Sequence, residues 1–406
     1  MKSVGIICEY NPFHSGHARQ IEILRGMGYD CIVCVMSGNF TERGEPAMFD
    51  KYTRAQCATI GGADLVLELP FPYSSLSAEG FARAGVYILS SLGIKNISFG
   101  SECADTQLLC AAADAICSDE FVKTYSESQK VGSKGSTKAF FESLSSVMGK
   151  DVALLSNDIL AISYIAAIKR LGCDMNVIPI KREGLAFTET TLDENQLPSA
   201  SAIRAALSSK ADVNSLLKNN APEKVAECLI EAIKNGYAPV TAQNVGRELL
   251  SFFKLMTPSE IASRAISRSL GGSSVAQDGC GICERLCNSA RSAKDLDSFM
   301  DGAYNAKYTD ARINRVALFS LIGASDLFDS SLPQYTTLLA ASTQGRALLS
   351  KIRKSCTFKI VTKPADSPEG VQSRIGGAAD ELYALAMKGG ENTDYFVKCK
   401  PYMSCK

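Results

Sequence analysis

The residues best suited to chemistry in this 406-residue chain sit at one point. Only two histidines occur, His14 and His17, both within the run NPFHSGH. Any reaction needing imidazole must use this pair, so a histidine zinc site elsewhere and a Ser-His-Asp triad away from the N-terminus are excluded. The pair directly follows an apolar run, 4–8, and opens a helical pattern extending to about Gly26. A strand, a turn at Asn11-Pro12 and a helix start therefore carry it. Open α/β sheets bind ligands at the carboxyl ends of their strands, and a helix N-terminus offers free N–H groups and partial positive charge to an anion such as phosphate. Gly16 lacks a Cβ, which would let a phosphate approach the backbone. Histidines at i and i+3 can both face that phosphate and donate to oxygens that gain charge in a transition state. The same residues would also make a plain buried strand–turn–helix with two incidental imidazoles. The location at the first strand–helix junction, and the monopoly on histidine, favour the phosphate site.

The elements that would position the pair follow from periodicity. Apolar runs at 31–36, 65–69, 94–99 and 177–180 alternate with helical patterns at 50–60, 78–92 and 156–172, several stopped by glycine. Near-continuous apolar strands separated by helices predict a parallel sheet covered on both faces. The expected fold class is α/β: a parallel-sheet, Rossmann-like domain over 1–205 with a helical insertion at about 105–150, then a mainly α-helical region over 206–406. Residues 183–198 and 363–377 read as loops, and no internal repeat is found.

Composition sets bounds. The chain is 46% hydrophobic and 21% charged, with 43 basic and 43 acidic side chains. This is ordinary globular usage. Residues 1–205 hold 18 basic and 23 acidic groups and the remainder 25 and 20, a weak pointer to an anionic partner on the second half. The N-terminal apolar run ends at Glu9, too short for a signal-peptide core, and no apolar stretch approaches a membrane span. The expectation is a cytoplasmic protein whose cysteines are thiols. There is no Walker glycine–lysine–serine loop and no GxGxxG after the first strand, so P-loop ATPase and Rossmann dehydrogenase readings fail.

NPFHSGH resembles the HxGH signature of the nucleotidyltransferase superfamily. Together with MSGNFTERGEPAMFDKYTRAQCATIGGADLVLELP (36–70) and FGSE (99–102), it resembles the bacterial tRNA(Met) cytidine acetate ligase family. The likeness is strong over 1–205 and weaker beyond, where YTDARINRVALFSLI (308–322) resembles a helical segment of the family. It implies an ATP-dependent ligase: acetate attacks the α-phosphate of ATP, and the resulting acetyl-adenylate acetylates N4 of the wobble cytidine of elongator tRNA(Met). The partners implied are that tRNA, acetate and ATP, with Mg²⁺ on the phosphates, and no membrane. Matching position implies that ATP contacts Ile7, Cys8, Glu9, Tyr10, Asn11, Pro12, Phe13, His14, Ser15, Gly16, His17, Ala18, Arg19 and Gln20. His14 and His17 would be catalytic, and Gly100, Asn157 and Arg182 would also contact nucleotide. Asn157 would equally serve as a helix N-cap. SASAIR (199–204) resembles a phosphate-binding motif of related enzymes, through Ser199 and Arg204. Arg43, Glu45 and Lys51 would border the site without individual roles. After Arg182 the chain reads EGLAFTETTLDEN and lacks the tyrosine and histidine usual in the family. Rival readings are another HxGH adenylyltransferase, a ligase acetylating a protein as in citrate lyase ligases, and a non-catalytic nucleotide- or RNA-binding module.

Two features read as structural. CGICERLC places Cys280, Cys283 and Cys287 at metal-ligand spacing, yet a fourth ligand would have to be a distant Cys356 or Cys399. Small buried thiols are the simpler expectation. Asp64 and Glu68 flank the third strand and read as exposed strand-end carboxylates.

Overall fold

The computed structural model describes residues 1–130, 136–182, 199–209, 212–265, 275–305, 308–324, 332–388 and 394–405. The first half runs β1 (Ser3–Cys8), α1 (Ser15–Gly26), β2 (Cys31–Ser37), α2 (Lys51–Ile60), β3 (Leu65–Leu69), α3 (Ala78–Ser91), β4 (Asn96–Ser101), α4 (Thr106–Cys117), α5 (Asp119–Lys130), α6 (Ser136–Met148), α7 (Ser156–Leu171) and β5 (Asn176–Lys181). Next come α8 (Ala200–Ser208), α9 (Val213–Asn220), α10 (Glu223–Lys234), α11 (Gly246–Leu255), α12 (Pro258–Arg264), α13 (Val275–Ser292), α14 (Leu296–Ala303) and α15 (Asp310–Ile322). Last come β6 (Tyr335–Ala341), α16 (Thr343–Ser355), β7 (Lys359–Val361), α17 (Val371–Ala386), α18 (Tyr395–Lys398) and β8 (Tyr402–Met403).

One sheet organises both halves, in the order β5-β4-β1-β2-β3-β6-β7, with β8 also on β6. The first five strands are parallel. β1 leads to β2 on one side while β4 and β5 lie on its other side. That reversal opens a crevice at the carboxyl end of β1, the topological switch point where such sheets take ligands. β2 and β3 are buried along their whole length, which explains their unbroken apolar sequences. The expected helical stretch at 105–150 is α4, α5 and α6; α5 and α6 meet through Phe121, Tyr125 and Phe140.

The second half, read as mainly helical, also supplies three strands. β6 pairs antiparallel with β3, and its seven residues are all buried. Its run YTTLLAA is short and apolar, a strand signal too brief to separate from the helices around it. The loop expected at 363–377 is shorter than its composition suggests, because α17 begins at Val371. Gln372 fixes that first turn, accepting from the Gln334 N–H at 2.8 Å and donating to the Tyr335 carbonyl at 3.1 Å. The other expected loop, 183–198, lies outside the described residues.

Asp64 and Glu68 are not exposed; both are buried. Asp64 accepts from the Ile32 N–H at 2.8 Å, from the Ser342 hydroxyl at 2.8 Å and from Arg25. Glu68 binds Lys51 Nζ at 2.8 Å, and Lys51 also reaches Asp380 on α17 at 2.7 Å. Burial pushes the Asp380 carboxyl up to about 6 although Lys51 pulls it down. Nothing local in the sequence announces these contacts, because one partner of each comes from beyond residue 340.

Cys283 and Cys287 are buried in the apolar core, and the Cys287 thiol points to the Met256 carbonyl at 3.4 Å. The Cys280 side chain lies outside the described residues. The fourteen described cysteines are free thiols.

Arg54 on α2 is fully buried. Its guanidinium donates to the carbonyls of Phe49 at 2.8 Å, Glu9 at 2.6 Å and Ser37 at 3.1 Å, and to that of Gly38. It thus ties the ends of β1 and β2 to the start of α2. Arg54→Met would strand these carbonyls, each costing about 1–3 kcal/mol when buried without a partner. The expected loss is roughly 4 kcal/mol of stability, read by urea unfolding. A loss below about 1 kcal/mol would show that water replaces the guanidinium at little cost.

Candidate active site

α1 begins with a reciprocal cap made by the histidines. His14 is the N-cap residue; its Nδ1 accepts from the Gly16 N–H at 3.1 Å, and the His14 N–H donates to His17 Nδ1 at 3.3 Å. The rings lie 3.8 Å apart between centroids. Tyr10 and Phe13 pack on the His17 ring at 4.7 and 5.5 Å. With both Nδ1 atoms accepting, the proton of each neutral ring sits on Nε2. Burial, then the Arg182 and Arg204 charges, lowers His14 to about 3; burial, His14 and Arg182 lower His17. The site therefore presents two neutral imidazoles as fixed donors. Gly16 has a nearer purpose than the one expected: a Cβ there would lie 2.9 Å from Cε1 of His14, so its bareness first makes room for that ring.

The pair lines a cavity of about 640 Å³ at the switch point. From the first loop, Ile7, Cys8, Glu9, Tyr10, Asn11, Gly16, Arg19 and Gln20 also line it, and from further along the chain Gly100, Asn157, Arg182 and Arg204 do so. Pro12, Phe13 and Ala18 are instead buried behind the loop. The Ser15 hydroxyl donates to the Asn220 carbonyl at 3.1 Å. Ser199 caps α8, accepting from the Ala202 N–H at 3.1 Å, while Ala200 and Arg204 of the same helix reach the cavity.

Arg204 grips the first loop through the Asn11 carbonyl at 2.9 Å. Arg182 crosses Gly100, where a Cβ would stand 3.2 Å from its Cγ, and reaches Asn157 Oδ1 at 3.4 Å. Asn157 is not the N-cap. α7 starts at Ser156, and the carboxylate of Glu102 takes the Asp158 N–H at 3.0 Å and the Asn157 side-chain amide. Asp158 returns the contact, accepting from the Glu102 N–H at 2.9 Å and from the Ser101 hydroxyl. FGSE and the start of α7 thus form a reciprocal clamp that holds Asn157 and Arg182 at the cavity.

The remaining wall includes Arg43, expected to border the site, but sequence reasoning does not bring its other residues together. Glu42 and Arg43 come from the β2–α2 connection, and Thr309, Asp310, Ala311 and Arg315 come from the start of α15. Arg315 Nη1 binds Glu42 Oε1 at 2.9 Å and the Glu42 carbonyl at 3.0 Å. Glu45 accepts from Asn314 at 3.2 Å. Gly44 has φ +74° and sits where a Cβ would meet the Arg315 backbone nitrogen at 2.5 Å, so this loop closes on α15 only with glycine there. Both runs, TERGEP and YTDARINR, stand out in the sequence, but nothing local shows that they meet. Lys51 lies in its buried cluster rather than among the lining residues.

Among the described residues, six cationic side chains line the cavity (Arg19, Arg43, Lys181, Arg182, Arg204 and Arg315) against the carboxylates Glu9, Glu42 and Asp310. Apolar residues, including Ile7, Phe81, Phe99, Leu160 and Ile180, supply the rest. A cationic donor-rich patch beside an apolar recess suits a nucleoside polyphosphate.

A parallel sheet whose first loop carries neutral imidazoles on a helix N-terminus, flanked by arginines, defines a nucleotidyl transferase class of site. The family profile described as HIGH Nucleotidyl Transferase matches residues 1–395. The tRNA(Met) cytidine acetate ligase of Acetivibrio thermocellus is 31% identical, covering 90% of this chain and 89% of its own. That of Syntrophotalea carbinolica is 32% identical, over 95% and 90%. Among solved structures, apo Thermotoga maritima TmcAL superposes with a TM-score of 0.88 at 30% identity, and TmcAL bound with alpha-thio ATP with 0.83 at 29%; each match covers 100% of both chains. The chain belongs to the HIGH nucleotidyl transferase family and, within it, to the tRNA(Met) cytidine acetate ligases.

The depressed histidines make stability depend on pH with a definite sign. The unfolded chain binds protons near pH 6.5 while folded His14 waits until about 3, so their contribution is complete above 6.5 and is lost as pH falls toward 3. The imidazole ¹⁵N shifts of His14 and His17 should hold the Nε2-protonated pattern from pH 8 to 5. Titration of either ring near 6.5 would refute the neutral-donor pair.

Proposed function

We propose that this chain is an ATP-dependent ligase that activates acetate as acetyl-adenylate and transfers the acetyl group to N4 of the wobble cytidine of elongator tRNA(Met), forming N4-acetylcytidine. The observation that carries the reading is the pair of neutral, Nε2-protonated imidazoles at the start of α1, facing a cavity ringed by Arg182 and Arg204. No protein nucleophile is required, because acetate is itself a carboxylate. What the chemistry needs is positioning, charge neutralisation and exclusion of the water that would hydrolyse the mixed anhydride.

In this reading the triphosphate lies on the first loop. The two imidazole Nε2–H groups donate to phosphate oxygens as charge builds on the α-phosphate, without the desolvation cost of a buried imidazolium. Arg182 and Arg204 balance the departing pyrophosphate. Gly100 and Asn157 bound the nucleoside, and apolar residues of the recess contact the base. The Ser199 hydroxyl is committed to its helix cap, so its part is to orient α8 and thereby Arg204. Among the described residues no group of three His, Cys, Asp or Glu side chains could hold a metal. We infer that Mg²⁺ would arrive on the triphosphate, neutralising its charge.

The tRNA substrate rests on relatives that carry that name over nearly their whole length. No described helix is long and apolar enough to cross a membrane, and action on tRNA supports a cytoplasmic location. Incubating tRNA(Met) with the protein, ATP and acetate should add a single acetyl group to the anticodon cytidine, read by mass spectrometry of nuclease fragments. His14→Ala and His17→Ala should each lower acetate-dependent ATP–pyrophosphate exchange by at least about 100-fold, with the thermal transition retained. Parent protein that modifies no tRNA, or variants that keep parental exchange, would defeat the assignment.

A further inference from the structure

The second half-reaction sets a requirement that the phosphate-binding groups do not meet. The exocyclic amine of cytosine is neutral, with its lone pair drawn into the ring. When it attacks an acyl carbon it must give up a proton. The histidines cannot accept it: each Nδ1 already receives a backbone N–H and each Nε2 is protonated. Among the described residues, the carboxylates on the cavity wall are those of Glu9, Glu42 and Asp310.

Their surroundings separate them. Glu9 Oε1 accepts the Glu42 N–H at 2.8 Å, so this carboxylate braces the connection that carries Glu42. Asp310 is exposed in the first turn of α15. Glu42 is held in place but not consumed. Arg315 fixes its Oε1 and its carbonyl through one nitrogen, and among the described residues no hydrogen bond engages Oε2. Its side chain keeps 31% exposure, so it is reachable from the cavity. Sheet order places it correctly as well. Gly100, Asn157 and Arg182 arrive from β4, α7 and β5 on one side of β1, whereas Glu42 arrives from β2 on the other. A nucleotide on the first group leaves the Glu42–Arg315 wall facing the reacting centre from the opposite flank. Carboxylates are also the side chains that pair with cytosine N4.

We propose that this wall is the acceptor subsite and that Glu42 is the catalytic base of acetyl transfer, an inference that rests on the function proposed above. The N4 lone pair forms a bond to the acetyl carbonyl carbon. The bond from that carbon to the bridging phosphate oxygen breaks, and its electron pair leaves with AMP. The N4 proton passes to Oε2 of Glu42 and then to water. Arg315 is a positioning residue: it orients the carboxylate, and its charge opposes the burial that pushes the Glu42 carboxyl up.

The test supplies synthetic acetyl-adenylate with tRNA(Met), which bypasses activation, alongside acetate-dependent ATP–pyrophosphate exchange. Glu42→Gln should lower acetylation from acetyl-adenylate by about 100-fold or more, the range of a lost general base, and at least tenfold further than it lowers exchange. Glu42→Asp should recover part of the acetylation, with the acid limb of its pH profile retained. Acetylation by Glu42→Gln within about threefold of parent would overturn the proposal, as would equal loss in both assays, which would mark a role in loop structure alone. Parent protein showing no acetate-dependent exchange would instead overturn the function on which the proposal rests.

Discussion

A guanidinium sealed away from water must have all its donors answered, and in this protein the answers are backbone carbonyls. Arg54 is fully buried, yet its hydrogen bonds go to Phe49, Glu9, Ser37 and Gly38 rather than to a carboxylate. Carbonyls at the ends of two neighbouring parallel strands would otherwise be orphaned where the strands stop and the loops depart. One cation gathers them and fixes how the first loop leaves β1. Everything the site requires of that loop, including the histidine cap, the Arg204 grip on Asn11 and the approach of Glu42 to Glu9, depends on this exit direction.

The second constraint couples the halves. Lys51 stands at the start of α2, buried between Glu68 of β3 and Asp380 of α17. Burial opposes its charge, but the two carboxylates outweigh that and raise its pKa well above the ordinary value. Removing either acid would leave a costly imbalance in the interior. Asn39 completes the arrangement, accepting the Lys51 N–H at 2.9 Å and donating to Asp380 at 2.9 Å. Through these contacts α17 helps to set the β2–α2 connection, which carries part of the cavity wall.

Much of the fold is legible in the amino-acid sequence because its signals are local. The parallel strands are apolar runs, the helices between them have caps and glycine stops, and the histidine monopoly by itself points to the loop that lines the cavity. What the sequence leaves hidden depends on contacts across the chain. Asp64 and Glu68 resemble ordinary strand-end carboxylates because Ser342, which donates to Asp64, and Asp380, which shares Lys51 with Glu68, lie some three hundred residues away. Asn157 resembles a cap because the true capping group, Glu102, comes from the end of another strand. Glu42 and Arg315 become a site component only when a glycine with positive φ brings their segments together. The reason for Gly16 is also only half visible: its spacing suggests room for a ligand, whereas the first atoms that need the space belong to His14.

The antiparallel pairing of β6 with β3 also bears on how the chain is made. During synthesis β1 to β5 emerge first and can assemble their parallel core. The outer edge of β3 then stays open until residues near 341 have left the ribosome. An unpaired strand edge recruits other strands, and nascent chains pass through this stage at modest speed. The half that carries the histidines is therefore exposed to mispairing for as long as the helices from α8 to α15 take to appear. The last strands to be made cover an edge left open by the first.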